Sequence, residues 1–369
     1  MKITILQSNF AKALSQISRL VGNRTTLPVL SNALIVAEKG GIKISATDLE
    51  VGITTHTTGK VESEGKITLP ARILSDFINN NKDQSVEIST DGNIATLKSA
   101  RFEAVIHGIS AEEFPTIPEP TATAFVSLEK ESFLNALKKV IIAPALDETR
   151  PVLAGIFLSF LDKELIIAAT DSYRLAESKI KLAKPIEAKK VIVPTRTMNE
   201  LARILGGSDA VKEVLFYITE NQIIFKIGDT QIVSRLIEGT FPNYTQIIPS
   251  SSTIIAKTDL NEITSAVKMS ALFAKDSANN NVRLTIKDKG FTISSTATQA
   301  GSATSMIKAE LSGGDIEIAF NARYILDVLS VFPSGMVTIE LNNNASPCVI
   351  KTEKDPQFLY IIMPLKSEA

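Results

Sequence analysis

The chain has 369 residues, more than one hydrophobic core usually supports, so two or three domains are expected. Hydrophobic residues make up 44% and charged residues 21%, which excludes a disordered chain. The 39 basic and 40 acidic residues leave a net charge of −1, which taken alone argues against simple electrostatic capture of nucleic acid.

No apolar run approaches ~20 residues, so no membrane span is expected. The N-terminal stretch MKITILQSNF has one Lys and a short β-like run, without the apolar core and cleavage site of a signal peptide. The lone cysteine, Cys348, precludes an internal disulfide framework, and a reducing, cytoplasmic setting fits.

In chain order, residues 9–20 carry apolar side chains at i, i+3 and i+4, which predicts a helix with Ser8 as N-cap. Alternation over 41–45 predicts a strand, and Leu69-Pro70-Ala71-Arg72 opens a second helix over 71–82. A strand at 86–89 meets its neighbour through the turn Asp91-Gly92-Asn93. The Pro- and Thr-rich stretch 118–123 reads as a linker. The next helix is 132–143, with Ser132 as N-cap. The apolar run Leu165-Ile166-Ile167 then breaks at Thr170, Asp171 and Ser172 and exposes Tyr173, Arg174 and Leu175, as a strand entering a turn does. Another helix follows Pro194 over 195–205, and 249–252 is a second linker. The last third repeats the order: a helix at 259–272 capped by Asp259, a strand at 290–296, a helix at 321–332 and a strand at 337–341.

This order is an internal repeat. Asp48 and Asp171 stand 123 residues apart in a chain of three times that length. The same shift lays Phe10-Ala11-Lys12-Ala13-Leu14 on Phe133-Leu134-Asn135-Ala136-Leu137, Pro28-Val29-Leu30 on Pro151-Val152-Leu153, and Ala46-Thr47-Asp48 on Ala169-Thr170-Asp171. With one residue of slip, Leu69-Pro70-Ala71-Arg72 meets Val193-Pro194-Thr195-Arg196, and Phe114-Pro115 later meets Phe241-Pro242. A fainter third copy has Phe320-Asn321-Ala322-Arg323 at the helix start and Met363-Pro364 at the end. Each copy is an α+β unit with two helices on one side of largely antiparallel sheets.

Chemistry-bearing motifs are missing. There is no phosphate loop and no G-x-G-x-x-G. His56, His107 and Cys348 are too few and too scattered for a zinc site, so no metal or cofactor is expected. Asp48 and Asp171 fit Asx-turns at strand ends better than a catalytic carboxylate pair. Charge is unevenly placed: the six predicted helices hold Lys12, Arg19, Arg72, Lys82, Lys138, Lys139, Arg196, Arg203, Lys268 and Arg323 against Asp76, Glu200, Asp259, Glu262 and Asp327. That is a net +5 in an acidic remainder. Each helix alone reads as a solvated face; six biased alike suggest one shared basic surface. From residues alone, a monomeric protein touching DNA through one basic face and an enzyme with an unrecognised site stay open.

Over essentially its full length the chain resembles the bacterial DNA polymerase III β subunit family, the replicative sliding clamps. The motifs are 26–34 (TLPVLSNAL), 46–51 (ATDLEV), 69–72 (LPAR), 168–176 (AATDSYRLA), 193–196 (VPTR), 236–244 (LIEGTFPNY), 318–329 (IAFNARYILDVL) and 361–365 (IIMPL). The resemblance implies a DNA clamp fold of three similar domains, 1–120, 124–248 and 252–369, in a head-to-tail dimeric ring with helices inward and sheets outward. It implies a non-catalytic processivity factor that encircles double-stranded DNA without reading sequence. Its partners would be a second copy, the polymerase III alpha subunit, the clamp loader, and other polymerases and repair proteins.

By the same resemblance, partner peptides would insert a hydrophobic motif into a cleft between the second and third domains. Carried over, that cleft comprises Leu153, Thr170, Ser172, Tyr173, Arg174, Leu175, Pro242, Ile247, Tyr324, Pro347, Ile361, Ile362, Met363, Pro364 and Leu365; Leu153 and Ile361 fit plain core equally well. Ring closure would place Ala104 and Ile106 against Leu272 and Phe273, although the last two also fit an ordinary helix core. Arg24, Arg72, Arg150 and Arg196 are the candidates for DNA contact. The sequence departs from the family at Ser172-Tyr173, where Gly-His is common, at Lys366, where Arg is usual, in the added Ser-Glu-Ala, and in the polar run 277–281.

Overall fold

A computed structural model describes residues 1–22, 27–120, 123–147, 149–274, 280–288, 290–297 and 301–365. The first third runs β1 (Lys2–Leu6), α1 (Gln7–Ile17), β2 (Asn32–Glu38), β3 (Gly41–Thr47), β4 (Val51–Thr57), β5 (Lys60–Ser63), β6 (Gly65–Pro70), α2 (Ala71–Asn80), β7 (Ser85–Asp91), β8 (Ile94–Lys98) and β9 (Glu103–His107). The second runs β10 (Val126–Glu129), α3 (Lys130–Val140), β11 (Gly155–Thr170), β12 (Arg174–Pro194), α4 (Thr195–Gly206), β13 (Glu213–Ile218), β14 (Gln222–Ile227) and β15 (Thr230–Arg235). The third runs β16 (Ile254–Asp259), α5 (Leu260–Ala274), β17 (Asn281–Lys287), β18 (Gly290–Ala297), β19 (Gly301–Ile307), β20 (Ala309–Ser312), β21 (Ile316–Asn321), α6 (Ala322–Val331), β22 (Met336–Leu341), β23 (Cys348–Lys351) and β24 (Phe358–Ile362). The six predicted helices are present within a few residues of their expected ends.

The threefold repeat has a structural counterpart. Every strand pair among the described residues is antiparallel. The sheets nevertheless cross the repeat boundaries. One eight-stranded sheet has the order β10-β13-β14-β15-β4-β3-β2-β6, joining the second copy to the first through β15 and β4. A seven-stranded sheet, β11-β12-β24-β23-β22-β16-β20, joins the second copy to the third through β12 and β24. The five-stranded sheet β5-β1-β7-β8-β9 and the four-stranded sheet β19-β18-β17-β21 belong to the first and third copies alone. Because strands are shared in this way, the chain packs as two compact units, Met1–Glu131 with Asn199–Leu236 and Ser132–Met198 with Ile237–Ala369.

Helix α1 buries Phe10, Ala13, Leu14 and Ile17, one stripe of a 3.6-residue period, against β3 and β4. Full burial of a side chain such as Phe10 or Leu14 is worth about 1.5–3 kcal/mol, so this stripe outweighs weak local signals. That explains a correction: neither Ser8 nor Ser132 is an N-cap. Helix α1 starts at Gln7 directly off β1, with Leu6 in the cap position and no side-chain cap, and Ser132 lies inside α3. Asp259 does cap α5, its Oδ1 accepting the N–H of Asn261 at 2.8 Å. The expected hairpin at Asp91-Gly92-Asn93 is present, with Asp91 opposite Ile94 and Gly92 at φ 53, a left-handed conformation that suits glycine. In the polar run 277–281, Asn281 begins β17, and 277–279 lie outside the described residues.

Candidate functional site

The turn between β11 and β12 follows from its residue types. Asp171 Oδ1 accepts the N–H groups of Tyr173 at 2.9 Å and Arg174 at 3.0 Å, an Asx-turn. Thr170 Oγ1 accepts from Ser172 N at 3.1 Å and donates to the Arg174 carbonyl at 2.6 Å. These bonds hold Ser172 at φ 79, in the left-handed region. The chain thereby turns Tyr173 outward, 58% exposed, and Arg174 inward, 7% exposed.

Arg174 is then braced on three sides. Its Nε donates to Asp171 Oδ2 at 3.0 Å, its Nη1 donates to Asp327 on α6, and its guanidinium lies 4.2 Å from the Tyr324 ring centroid. Burial alone would lower its pKa. Tyr360 and the carboxylates of Asp327 and Asp171 more than offset that, so the guanidinium stays charged. Tyr360, whose phenol burial pushes up, donates to the Tyr324 carbonyl at 2.9 Å.

Above this brace lies a cavity of about 150 Å³. Of the sequence candidates, Leu153, Thr170, Ser172, Arg174, Leu175, Pro242, Ile247, Ile361 and Met363 line it. Its floor belongs to a core cluster of Leu175, Phe241, Tyr244, Val349 and Ile361, with Phe241 stacked on Phe157 at 4.7 Å. The remaining candidates sit around it. Tyr173 stands at the rim, its carbonyl accepting Met363 N at 2.8 Å. Tyr324 lies beneath Arg174. Ile362 is fully buried, and strand alternation turns it to the sheet face opposite Ile361. Pro347, Pro364 and Leu365 are half-buried beside β23 and β24. Two lining residues were missed, Asn243 and Tyr244. They complete the Phe-Pro-Asn-Tyr run whose Pro242 was named, so the signal was present. Tyr244 donates to Glu177 Oε2 at 2.6 Å, and burial, then Glu177, pushes its phenol pKa up.

Arg72 and Arg196 are exposed and occupy the second position of α2 and α4, a position that Arg323 shares in α6. Arg150 is exposed as well, but its Nη1 donates to Ser172 Oγ at 2.9 Å, at the cavity rim. Arg24 lies outside the described residues. Within their observed bounds the helices hold nine basic and five acidic residues, because Arg19 and Lys82 fall beyond α1 and α2. Three of the basic ones are engaged internally: Lys130 with Glu131, Lys139 with Asp355, and Arg203 with Glu200 and the carbonyls of Ser15 and Gln16. Each helix also carries one exposed basic residue: Lys12, Arg72, Lys138, Arg196, Lys268 and Arg323.

At the expected ring contact, Ile106 is buried and Ala104 half-buried on β9, while Val105 and Phe102 are 59% and 47% exposed. A groove of about 420 Å³ beside them is lined by Ile73, Asp76, Phe77, Asn80, Asn81 and Phe102. On α5, Leu272 is 58% exposed and Phe273 half-buried.

Family models for the DNA polymerase III beta subunit match the chain end to end: the N-terminal domain over residues 1–118, the central domain over 127–243 and the C-terminal domain over 245–366. The chain belongs to the DNA polymerase III beta subunit family. Among sliding clamps of this family, that of Synechococcus elongatus is 32% identical over 99% of both chains. The Bacillus subtilis sliding clamp superposes with a TM-score of 0.94 at 28% identity, covering 100% of this chain and 99% of that one. A Pseudomonas aeruginosa sliding clamp bound to griselimycin gives 0.94 at 27% identity, with both chains fully covered at 100%.

Among the described residues no group of three or more His, Cys, Asp or Glu is placed to hold a metal ion. Cys348 is fully buried, and burial raises its thiol pKa. No helix of the described residues is long and apolar enough to cross a membrane.

Proposed function

We propose that two copies of this chain close head to tail into a ring around duplex DNA and tether partner proteins through the cleft at Arg174. The domains are assigned as 1–120, 124–248 and 252–369. The observation that carries the ring is sheet topology. Half-sheets meet at β15–β4 and at β24–β12, and the equivalent edges left over are β9 and β19, which have no outer neighbour among the described residues. A second copy supplies each with its missing partner, a heterologous contact that closes when repeated twice. Ala104 and Ile106 then lie on the joining strand. Leu272 and Phe273 of the other copy reach the groove of Ile73, Phe77 and Phe102.

Six exposed basic residues per chain, one on each helix, support a sliding surface. An 11-residue helix such as α3 is ~16 Å long, longer than the ~12 Å width of a major groove, so helices bridge phosphates rather than enter it. Arg72, Arg150, Arg196 and Arg24 remain the DNA candidates, and Arg323 joins them by position. Such contacts are sequence-blind and individually weak, so retention comes from closure. The clamp acts without catalysis, in the cytoplasm, where the polymerase III alpha subunit, the clamp loader and other polymerases and repair proteins compete for the cleft.

Retention after loading tests the reading. Clamps assembled on a nicked circle should stay bound and run off once the circle is linearised. Equal release from both forms, at a rate set by salt alone, would overturn the ring.

A further inference from the structure

One wall of the Arg174 cleft is built with little regular structure. Pro242, Asn243, Tyr244 and Ile247 line it, all from residues 238–250 between β15 and β16. Only one turn of 3-10 helix, Tyr244–Ile247, is regular there. Apolar contacts press this stretch down: Phe241 stacks on Phe157 at 4.7 Å, and Tyr244 meets Phe241 edge-on at 6.0 Å. Such contacts attract without fixing direction. Among the described residues, a single hydrogen bond ties 238–250 to the rest of the chain, from the Tyr244 hydroxyl to Glu177 Oε2 at 2.6 Å.

Glu177 is an unusual residue for its surroundings. It stands on β12 two positions beyond Leu175, so strand alternation puts both on one sheet face. Across the strands it lies opposite Ala168, a member of the apolar cluster beneath the cleft, and Leu359, which packs against that cluster. It is only 6% exposed. A carboxylate held there is destabilising unless paired, and an aliphatic residue would fill the space without that penalty. Both oxygens are engaged: Oε2 accepts the Tyr244 hydroxyl, and Oε1 lies 3.7 Å from Lys179 Nζ. We infer that Glu177 is a positioning residue of the peptide cleft, holding Tyr244 so that Pro242 and Ile247 stand at the spacing that receives a partner side chain. The inference rests on the reading of the Arg174 cleft as a peptide site. Glu177 is outside the cavity lining and acts through Tyr244, whose ring is part of it. A buried partner that locks a lining side chain in one place is what a preformed site requires.

The test is titration of the full chain with a labelled peptide, acetyl-Gly-Ser-Leu-Asp-Leu-Phe-Gly-Ser-amide, with thermal melting of each variant. Met363→Arg should abolish binding, which places the peptide in this cleft. Glu177→Gln keeps an acceptor for Tyr244 and should bind within about twofold of the unaltered chain. Glu177→Leu should bind roughly fivefold more weakly. Adding Tyr244→Phe to Glu177→Leu replaces both partners by apolar groups, so the melting temperature should recover while the affinity stays low. Affinity that recovers with the melting temperature, or Glu177→Leu binding like the unaltered chain, overturns the positioning role and leaves the cleft intact. No saturable binding by the unaltered chain, or binding untouched by Met363→Arg, overturns the reading of the cleft itself.

Discussion

Arg174 and Asp327 are joined by an ion pair across 153 residues of sequence, fastening the turn at the cleft mouth to helix α6. With Asp171 on its other side, the guanidinium is shared between two carboxylates and a tyrosine face. Arg174 thus holds the cleft wall in place more than it reaches into the cavity.

Asp327→Ala is expected to leave a buried guanidinium short of one partner and to lower stability by about 1–3 kcal/mol. Peptide affinity should fall several-fold in the same variant, since Ser172 and Leu175 lose their anchor. Thermal denaturation paired with a peptide titration checks both. The combination with Arg174→Met should be sub-additive, and full additivity would show that the two side chains act independently.

Replacing Leu272 and Phe273 together with Asp should give a folded monomer. Leu272 is exposed on α5, so its replacement leaves the core of the protomer filled. Sedimentation velocity decides the matter, and an unchanged dimer would sink this assignment.

Arg72→Glu and Arg196→Glu should each weaken DNA binding uniformly across sequences. The log–log salt dependence should become shallower by about 0.9 for each phosphate that is no longer neutralised. A sequence-dependent loss, seen by comparing unrelated duplexes, would contradict a sliding surface.

Cys348 should resist thiol reagents until the protein unfolds, because burial favours the neutral thiol and excludes the reagent. The sign of its linkage is fixed: a thiol pKa raised in the folded state supplies stability below the ordinary cysteine range near pH ~8.5. That contribution is lost as pH rises beyond it. Labelling at graded denaturant should therefore follow global unfolding, and rapid labelling of the native chain would refute the buried placement.

Much of this was legible in the sequence because it is written locally. The Asx-turns at Asp48 and Asp171 depend on residues two and three positions ahead, and both turns have the expected bonds. Helix stripes are local as well. What escaped was set at long range. The starts of α1 and α3 are fixed by the strands they leave, so Ser8 and Ser132 had no capping role to fill. Arg203 reads as one more basic helix residue until its bonds to the carbonyls of Ser15 and Gln16 are seen. The bond from Arg150 to Ser172 at the cavity rim is likewise invisible in the local sequence.

The joining of β4 to β15 also governs how the chain is made. Val51 leaves the ribosome long before its opposite residue, Ser234, exists, because all of the second repeat's other elements lie between them. The nascent first third therefore presents β4 as an open edge through much of synthesis. Pairing of such high sequence separation is slow to form, and an open edge invites association with other chains meanwhile. For this fold the hazard to manage is translation itself, and chaperone demand should peak before Thr230–Arg235 emerges.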